Sequence, residues 1–243
     1  MSDHQGLAIV IGVGASNGVG GALARRFARN GPVLLAGRTA SKLETVAEEI
    51  RSAGGTAHTA VCDVTNPSQV AALFETARSH GPLGAVLYNA GNNAIIPFEE
   101  LTAEQFEDFW RVCCLGAFLV AKEAIQILEP QANGSLLFTG ASASMRGKPN
   151  FAHFAAAKGA LRNLAQSLAR EYGPKGIHVG HVIIDGVVNG AIVRERFQGY
   201  LESKGDQGAL EPDAIAEAFW QLHVQSRSAW THEIDLRPFK EDW

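Results

Sequence analysis

Leu7-Ala8-Ile9-Val10-Ile11-Gly12-Val13, followed at once by Gly14-Ala15-Ser16-Asn17-Gly18-Val19-Gly20-Gly21, is the stretch on which the reading of the fold turns. The first seven residues carry no polar alternation, as expected of a strand covered on both faces. The next eight form a glycine-rich turn, and Leu23, Phe27 and Ala28 beyond it mark the apolar stripe of a helix. Glycine lets a backbone turn tightly and lie close to a pyrophosphate, whose charge the helix N-terminus then stabilises. The spacing of Gly14, Gly18 and Gly20 is G-x-x-x-G-x-G rather than G-x-G-x-x-G, and glycine-rich turns also arise for steric reasons alone. The strand–turn–helix setting favours nucleotide binding, with Gly14, Ser16, Asn17, Gly18, Val19 and Gly20 as contacts.

Outward from this turn the same alternation continues. Residues 7–13, 33–36, 57–62, 85–88, 135–139 and 179–184 read as short buried parallel strands, with 233–237 as a seventh candidate. Helical stretches lie between them. Residues 41–53 open with Ser41 and Glu44 at capping-box spacing and stop at Gly54-Gly55. Residues 67–79 begin with Pro67 behind Asn66, an N-cap residue. Residues 102–128 read as one long helix with a second capping box at Thr102 and Gln105, and 154–172 end at Gly173-Pro174. Such alternation implies right-handed crossovers and helices on both sheet faces. The expected fold is α/β, a Rossmann-type doubly wound parallel sheet of about seven strands, with residues 1–243 as one dinucleotide-binding domain. The irregular stretch 185–211 is long for a plain connection and reads as a lid or binding segment.

Composition narrows the function classes. The 243 residues are 46% hydrophobic and 19% charged, a globular balance. A net charge of −4 argues against a nucleic-acid surface and leaves room for a local phosphate pocket. Cys62, Cys113 and Cys114 are odd in number and lack metal-ligand spacing, which suits a reducing cytoplasm and no metal. Residues 1–6 are polar and run straight into the first strand, so no cleavable leader is expected, and no apolar run approaches the roughly 20 residues of a membrane span. A cytoplasmic protein with a small-molecule substrate and no membrane contact is expected.

At the end of the second strand an acidic residue would hydrogen-bond the ribose 2′-hydroxyl of NAD. Gly37-Arg38 stands there instead. A guanidinium can pair with a 2′-phosphate, so NADP(H) is favoured over NAD(H), the plain alternative being a solvated surface arginine.

With these motifs in order, the chain resembles the short-chain dehydrogenase/reductase family over nearly its whole length. The glycine turn matches, Asp63-Val64 resembles the family's Asp-Val pair beside the adenine, and Asn89-Ala90-Gly91 matches the N-A-G that ends the fourth strand. The resemblance implies a seven-stranded sheet, homodimers or homotetramers, and substrate entry over the strand C-termini. It also implies chemistry resting on Asn, Ser, Tyr and Lys, with Tyr and Lys four apart on one helical face. The lysine then reaches the cofactor ribose and lowers the tyrosine pKa, and the tyrosine moves the proton.

Against that pattern, Lys158 is kept but Phe154 stands at the Tyr position, Ala141 at the Ser position and Cys113 at the Asn position. The Pro-Gly after the sixth strand becomes Asp185-Gly186. A phenylalanine has no proton to give, and losing a general acid costs about 10²–10⁴ in rate. Ordinary ketone–alcohol chemistry by the family's route is therefore not expected. Ser142 and Ser144, His153, His181, Cys113 and Asp185 are possible replacements, and none stands out. His153 is expected to face a neighbouring surface, His181 to be structural, and Cys113 to be a small buried hydrophobe. Two readings remain: an NADP(H)-dependent oxidoreductase whose substrate needs little proton donation, such as an activated alkene or iminium, or a catalytically silent dinucleotide binder acting as sensor or partner subunit. In the C-terminal tail, Trp230, Phe239 and Trp243 could dock on a second subunit or pack on their own chain.

Overall fold

The computed structural model describes residues 6–91 and 93–241; Trp243 of the tail lies outside them. The strands are β1 Leu7–Ile11, β2 Val33–Gly37, β3 Ala57–Val61, β4 Leu83–Tyr88, β5 Ser135–Thr139, β6 His178–Ile184 and β7 Glu233–Leu236. All pair in parallel in the order β3-β2-β1-β4-β5-β6-β7. Successive residues of β1 point to opposite faces and both faces are covered. Leu7, Ile9 and Ile11 pack into one core, under α3 (Pro67–Arg78), α5 (Gly116–Gln131) and α6 (Ala152–Tyr172). Ala8 and Val10 pack into the other, under α1 (Val19–Ala28), α2 (Ala40–Ser52) and α9 (Pro212–His223). This two-sided burial is why the inner strands lack alternation, whereas edge strands β3 and β7 are half-buried.

Local signals are obeyed where the chain itself supplies the partner. The Asn66 side chain accepts from the N–H groups of Ser68 and Gln69 at the start of α3. Thr102 and Gln105 close their capping box at the start of α4 (Ala103–Trp110). The other predicted box does not form: α2 starts one residue before Ser41, with Thr39 as N-cap, and Glu44 reaches forward to pair with Arg51. The long helix expected over 102–128 is broken by a π turn at Arg111–Leu115. Its cause is tertiary. The buried Tyr88 hydroxyl donates to the Val112 carbonyl at 2.5 Å, and Gly116 seats against Tyr88 and Val64 so closely that a Cβ there would lie 2.5 Å from that hydroxyl. A π turn absorbs the extra residue.

The segment over 185–211 is not structureless. It carries two short helices, α7 (Ala191–Arg196) and α8 (Gln198–Ser203), and its ends are joined by a bridge between Val188 and Leu210. Its Gly190 lies against the Asn17 carbonyl, with a Cβ there 3.6 Å from that oxygen, so the segment rests on the glycine turn. No described helix is long and apolar enough to cross a membrane.

Candidate functional site

Because the strands run one way, the residues that follow them gather along one sheet edge. The glycine turn follows β1, Arg38 β2, Asp63 β3, Asn89 to Gly91 β4, Ala141 β5 and Asp185 β6. Strand order reverses between β1 and β4, the switch point at which open α/β sheets leave a crevice for a ligand. Asn89 spans it: its amide donates to the Gly12 carbonyl at 3.2 Å and accepts from the Thr139 hydroxyl at 3.1 Å. Gly12, which the sequence reading passed over, takes a left-handed φ of 88° with its Cα against the Ala90 backbone.

The glycines of the turn divide into two kinds. A Cβ on Gly20 would lie 2.6 Å from the Gly12 carbonyl, so that glycine is needed for helix–strand contact. A Cβ on Gly14 would meet nothing within 4 Å. Protein packing does not require glycine at position 14; a ligand lying over the bare backbone would. Gly18 is the N-cap of α1 and supplies no side-chain hydrogen bond, leaving the first N–H groups of that helix for an anion. Both observations fit a pyrophosphate. Val19 opens α1 and Asn17 is exposed. Ser16 is tied down: its hydroxyl donates to Glu49 at 2.6 Å, and Arg25 donates to its carbonyl and hydroxyl at 2.9 Å each. Arg25 and Glu49 carry no local sequence signal for this role, because they meet Ser16 only through packing of α1 and α2.

Arg38 is exposed, and its charge acts on Asp63. The Thr65 backbone N–H at 2.9 Å chiefly holds the Asp63 carboxyl below its ordinary range, with the Thr65 hydroxyl, Arg38 and Arg111 adding to it. Val64 is buried beside Gly116.

At the other side of the switch point, Lys158 of α6 is 5% exposed and donates to the Thr139 carbonyl at 2.8 Å. Its ammonium lies 5.8 Å from the centroid of the Phe154 ring. A Cβ on Gly91 would be 3.5 Å from Lys158 Nζ and 3.9 Å from Cys113 Sγ, so these three residues share one corner. Burial lowers the Lys158 pKa from its ordinary value, and the Cys113 sulfur opposes that. Cys113 itself is fully buried in the π turn.

The proton-donor candidates are separated by their surroundings. His153 is not at a neighbouring surface as expected; it is fully buried, its ring 4.1 Å from that of Phe109. Residue Phe109, from α4, covers a helix face that the sequence of α6 alone leaves ambiguous. His181 is structural. It bonds Glu233 at 2.9 Å through Nδ1 and lies 3.4 Å from the Ser144 hydroxyl through Nε2, while Arg162 grips Glu233 with two bonds of 2.7 Å. Burial, chiefly, lowers the His181 pKa to about 4. Ser144 also accepts from the Ala141 N–H at 3.1 Å. Asp185 is buried with both oxygens accepting from Arg146, at 2.7 and 3.0 Å. Ser142 alone combines partial exposure with a hydroxyl that makes no hydrogen bond among the described residues, and it adjoins Ala141.

A parallel doubly wound sheet with an open glycine cradle at its switch point defines a dinucleotide-binding α/β protein. The model of the short chain dehydrogenase family matches residues 8–200, and the chain belongs to that family of oxidoreductases. It is 34% identical over 188 residues to glucose 1-dehydrogenase of Gluconobacter oxydans, covering 76% of this chain and 69% of that one. It is 31% identical over 221 residues to the uncharacterized oxidoreductase YuxG of Bacillus subtilis, covering 89% of this chain but spanning only 31% of the length of that relative. The crystal structure of a short-chain dehydrogenase from Rhodopseudomonas palustris superposes with a TM-score of 0.83 at 35% identity, over 96% of this chain and 99% of that one.

Proposed function

We propose that residues 1–243 form one NADP(H)-dependent oxidoreductase unit with a non-standard active site, acting on a small molecule whose reduction needs little proton donation from the protein. The observation that carries this reading is Lys158, held buried beside Gly91, with an open cradle at Gly14 on the same sheet edge, while Phe154 and Ala141 offer no hydroxyl. Gly14, Gly18, Val19 and Gly20 are assigned to the pyrophosphate, with Ser16 and Asn17 beside them. Asp63 and Val64 border the adenine, Asn89 to Gly91 the central crevice, and Arg38 the 2′-phosphate. Lys158 holds the nicotinamide ribose. When bound, the nicotinamide supplies or accepts the hydride. Ser142, whose hydroxyl makes no hydrogen bond among the described residues and adjoins the vacated serine position, binds the substrate heteroatom, and solvent supplies the proton. An activated alkene or an iminium fits these demands better than a ketone, because neither places a full alkoxide next to Phe154.

A silent dinucleotide binder is the second reading, and the two absent hydroxyls at 154 and 141 favour it. Turnover separates the two: NADPH oxidation with enones or cyclic imines supports the first, and strong binding without turnover across carbonyls, enones and imines supports the second. The cofactor assignment has its own test. Calorimetric titration should give a lower Kd for NADPH than for NADH, and Arg38→Asp should reverse the order, with about tenfold or more lost for NADPH. Equal affinities in the parent protein overturn the choice of cofactor. A cytoplasmic setting and assembly into homodimers or homotetramers complete the proposal.

A further inference from the structure

Asp185 stands where the family pattern has proline, and the function above leaves it without a role. In the structure it follows β6 and joins two walls of the crevice. One is the turn after β5: the Arg146 N–H donates to the Ser142 carbonyl at 3.1 Å, so Arg146 is anchored to the residue beside Ala141. The other is the base of the segment that carries α7 and α8 and rests on the glycine turn. Arg146 reaches across with Nη2 only, to both oxygens of the buried Asp185. Its side chain remains 42% exposed, and its Nη1 and Nε groups have no partner among the described residues. Arg237, the second guanidinium near Asp185, is paired with Asp235 as well. Lys148, two residues beyond Arg146, adds an exposed cation on the same loop. Exposed apolar side chains stand on the segments that follow the neighbouring strands: Met145 beside Arg146 after β5, Ile95 after β4, and Ile192 and Phe197 of the α7 segment after β6.

We infer that Arg146 determines substrate specificity, and that the substrate of the proposed reaction carries a carboxylate on an apolar body. The inference rests on the crevice reading above. A planar guanidinium with one amino group committed to Asp185 and its remaining N–H groups free is a fixed donor for a second carboxylate. Asp185 holds that donor in place, so its burial positions Arg146 rather than supplying a proton. The exposed apolar residues would cover the body of such a molecule, as pocket walls do.

The test uses hydrocinnamate and its uncharged amide as probes in calorimetry, with and without NADPH. The parent protein should bind the acid about tenfold or more tightly than the amide. Arg146→Met should bring the acid down to the amide's affinity with the NADPH heat unchanged. Arg146→Gln, which keeps a donor toward Asp185 without the charge, should likewise bring the acid down to the amide's affinity, and this variant carries the test should Arg146→Met not fold. Equal affinity for acid and amide in the parent, no heat from the acid at millimolar concentration, or an Arg146→Met protein that still prefers the acid overturns the inference. Missing NADPH heat with the acid preference intact would instead sink the cofactor assignment and leave Arg146 standing.

Discussion

At the scale of single residues, the missing proton donor can be tested directly. The Phe154 ring centroid lies 5.8 Å from the Lys158 ammonium, so a tyrosine there brings a hydroxyl onto the helix face of the charge that lowers such a pKa. Phe154→Tyr combined with Ala141→Ser should raise NADPH-dependent reduction of simple ketones by about 10²-fold or more. A parent protein as fast on ketones as the double variant would show that another group already does this work. His181 provides a second test, in stability. Its pKa falls from 6.5 to about 4 on folding, so the folded imidazole stays neutral where the unfolded one binds a proton. Between those values the unfolded state holds more protons, so stability is present above pH 6.5 and is lost as pH falls toward 4, by about 3 kcal/mol in all. The lowered pKa of Glu233 acts in the same direction. Urea midpoints across this window should fall with pH in the parent and less steeply in His181→Gln. Identical slopes would place the acid sensitivity elsewhere. The identities at 141, 154 and 158 were legible because they depend on spacing along the chain. The burial of His153 and the commitment of Asp185 were not, since Phe109 and Arg146 arrive from other elements.

At the scale of elements, the glycine turn distinguishes a cradle from a packing requirement. Gly14→Ala puts a methyl into open space and, with no left-handed φ to strain, should leave Tm within about 2 °C of the parent. It should nevertheless weaken NADPH by about tenfold or more, since the methyl stands where the pyrophosphate would approach the backbone. Gly20→Ala should do the reverse first: its methyl meets the Gly12 carbonyl at 2.6 Å, and destabilisation of about 1–3 kcal/mol is expected before any binding is measured. If both variants behave alike in thermal melts and titrations, the turn is a steric device and the nucleotide reading loses its support. The same contrast explains what could be read from the sequence. The capping residues Asn66 and Thr102 act within four residues of themselves and were identified from the chain alone. The π turn at Arg111–Leu115 answers to the Tyr88 hydroxyl, twenty-odd residues away and on a strand, and no periodicity records that.

At the scale of the whole molecule, the parallel sheet and the two-sided core followed from the alternation of apolar runs with helices, because a strand without polar alternation must be covered twice. What alternation does not reveal is which outer face would meet another subunit. The tail is occupied with its own chain: β7 pairs with β6, Trp230 stacks on His178 at 4.8 Å, Lys240 donates to the Asp206 carbonyl, and Glu241 pairs with Lys204. Phe239 is 75% exposed, but one ring offers little area. Consecutive helices α4 and α5 instead present Phe106, Trp110 and Phe118, each more than a third exposed. Aromatic side chains left in water on adjoining helices are what an interface core uses, and a second copy of the same chain is the occupant the family resemblance implies. Light scattering should therefore give a dimer or tetramer mass for the parent protein. Phe118→Glu would bury an unpaired carboxylate in that contact, costing about 3 kcal/mol or more and weakening association roughly a hundredfold, so its mass should fall at micromolar concentration. Removing residues 239–243 should leave the mass unchanged and lower Tm instead, through the lost ties to residues 204–206. A Phe118→Glu protein with the parent's mass, or a truncation that dissociates it, would move the interface from the α4–α5 face to the tail.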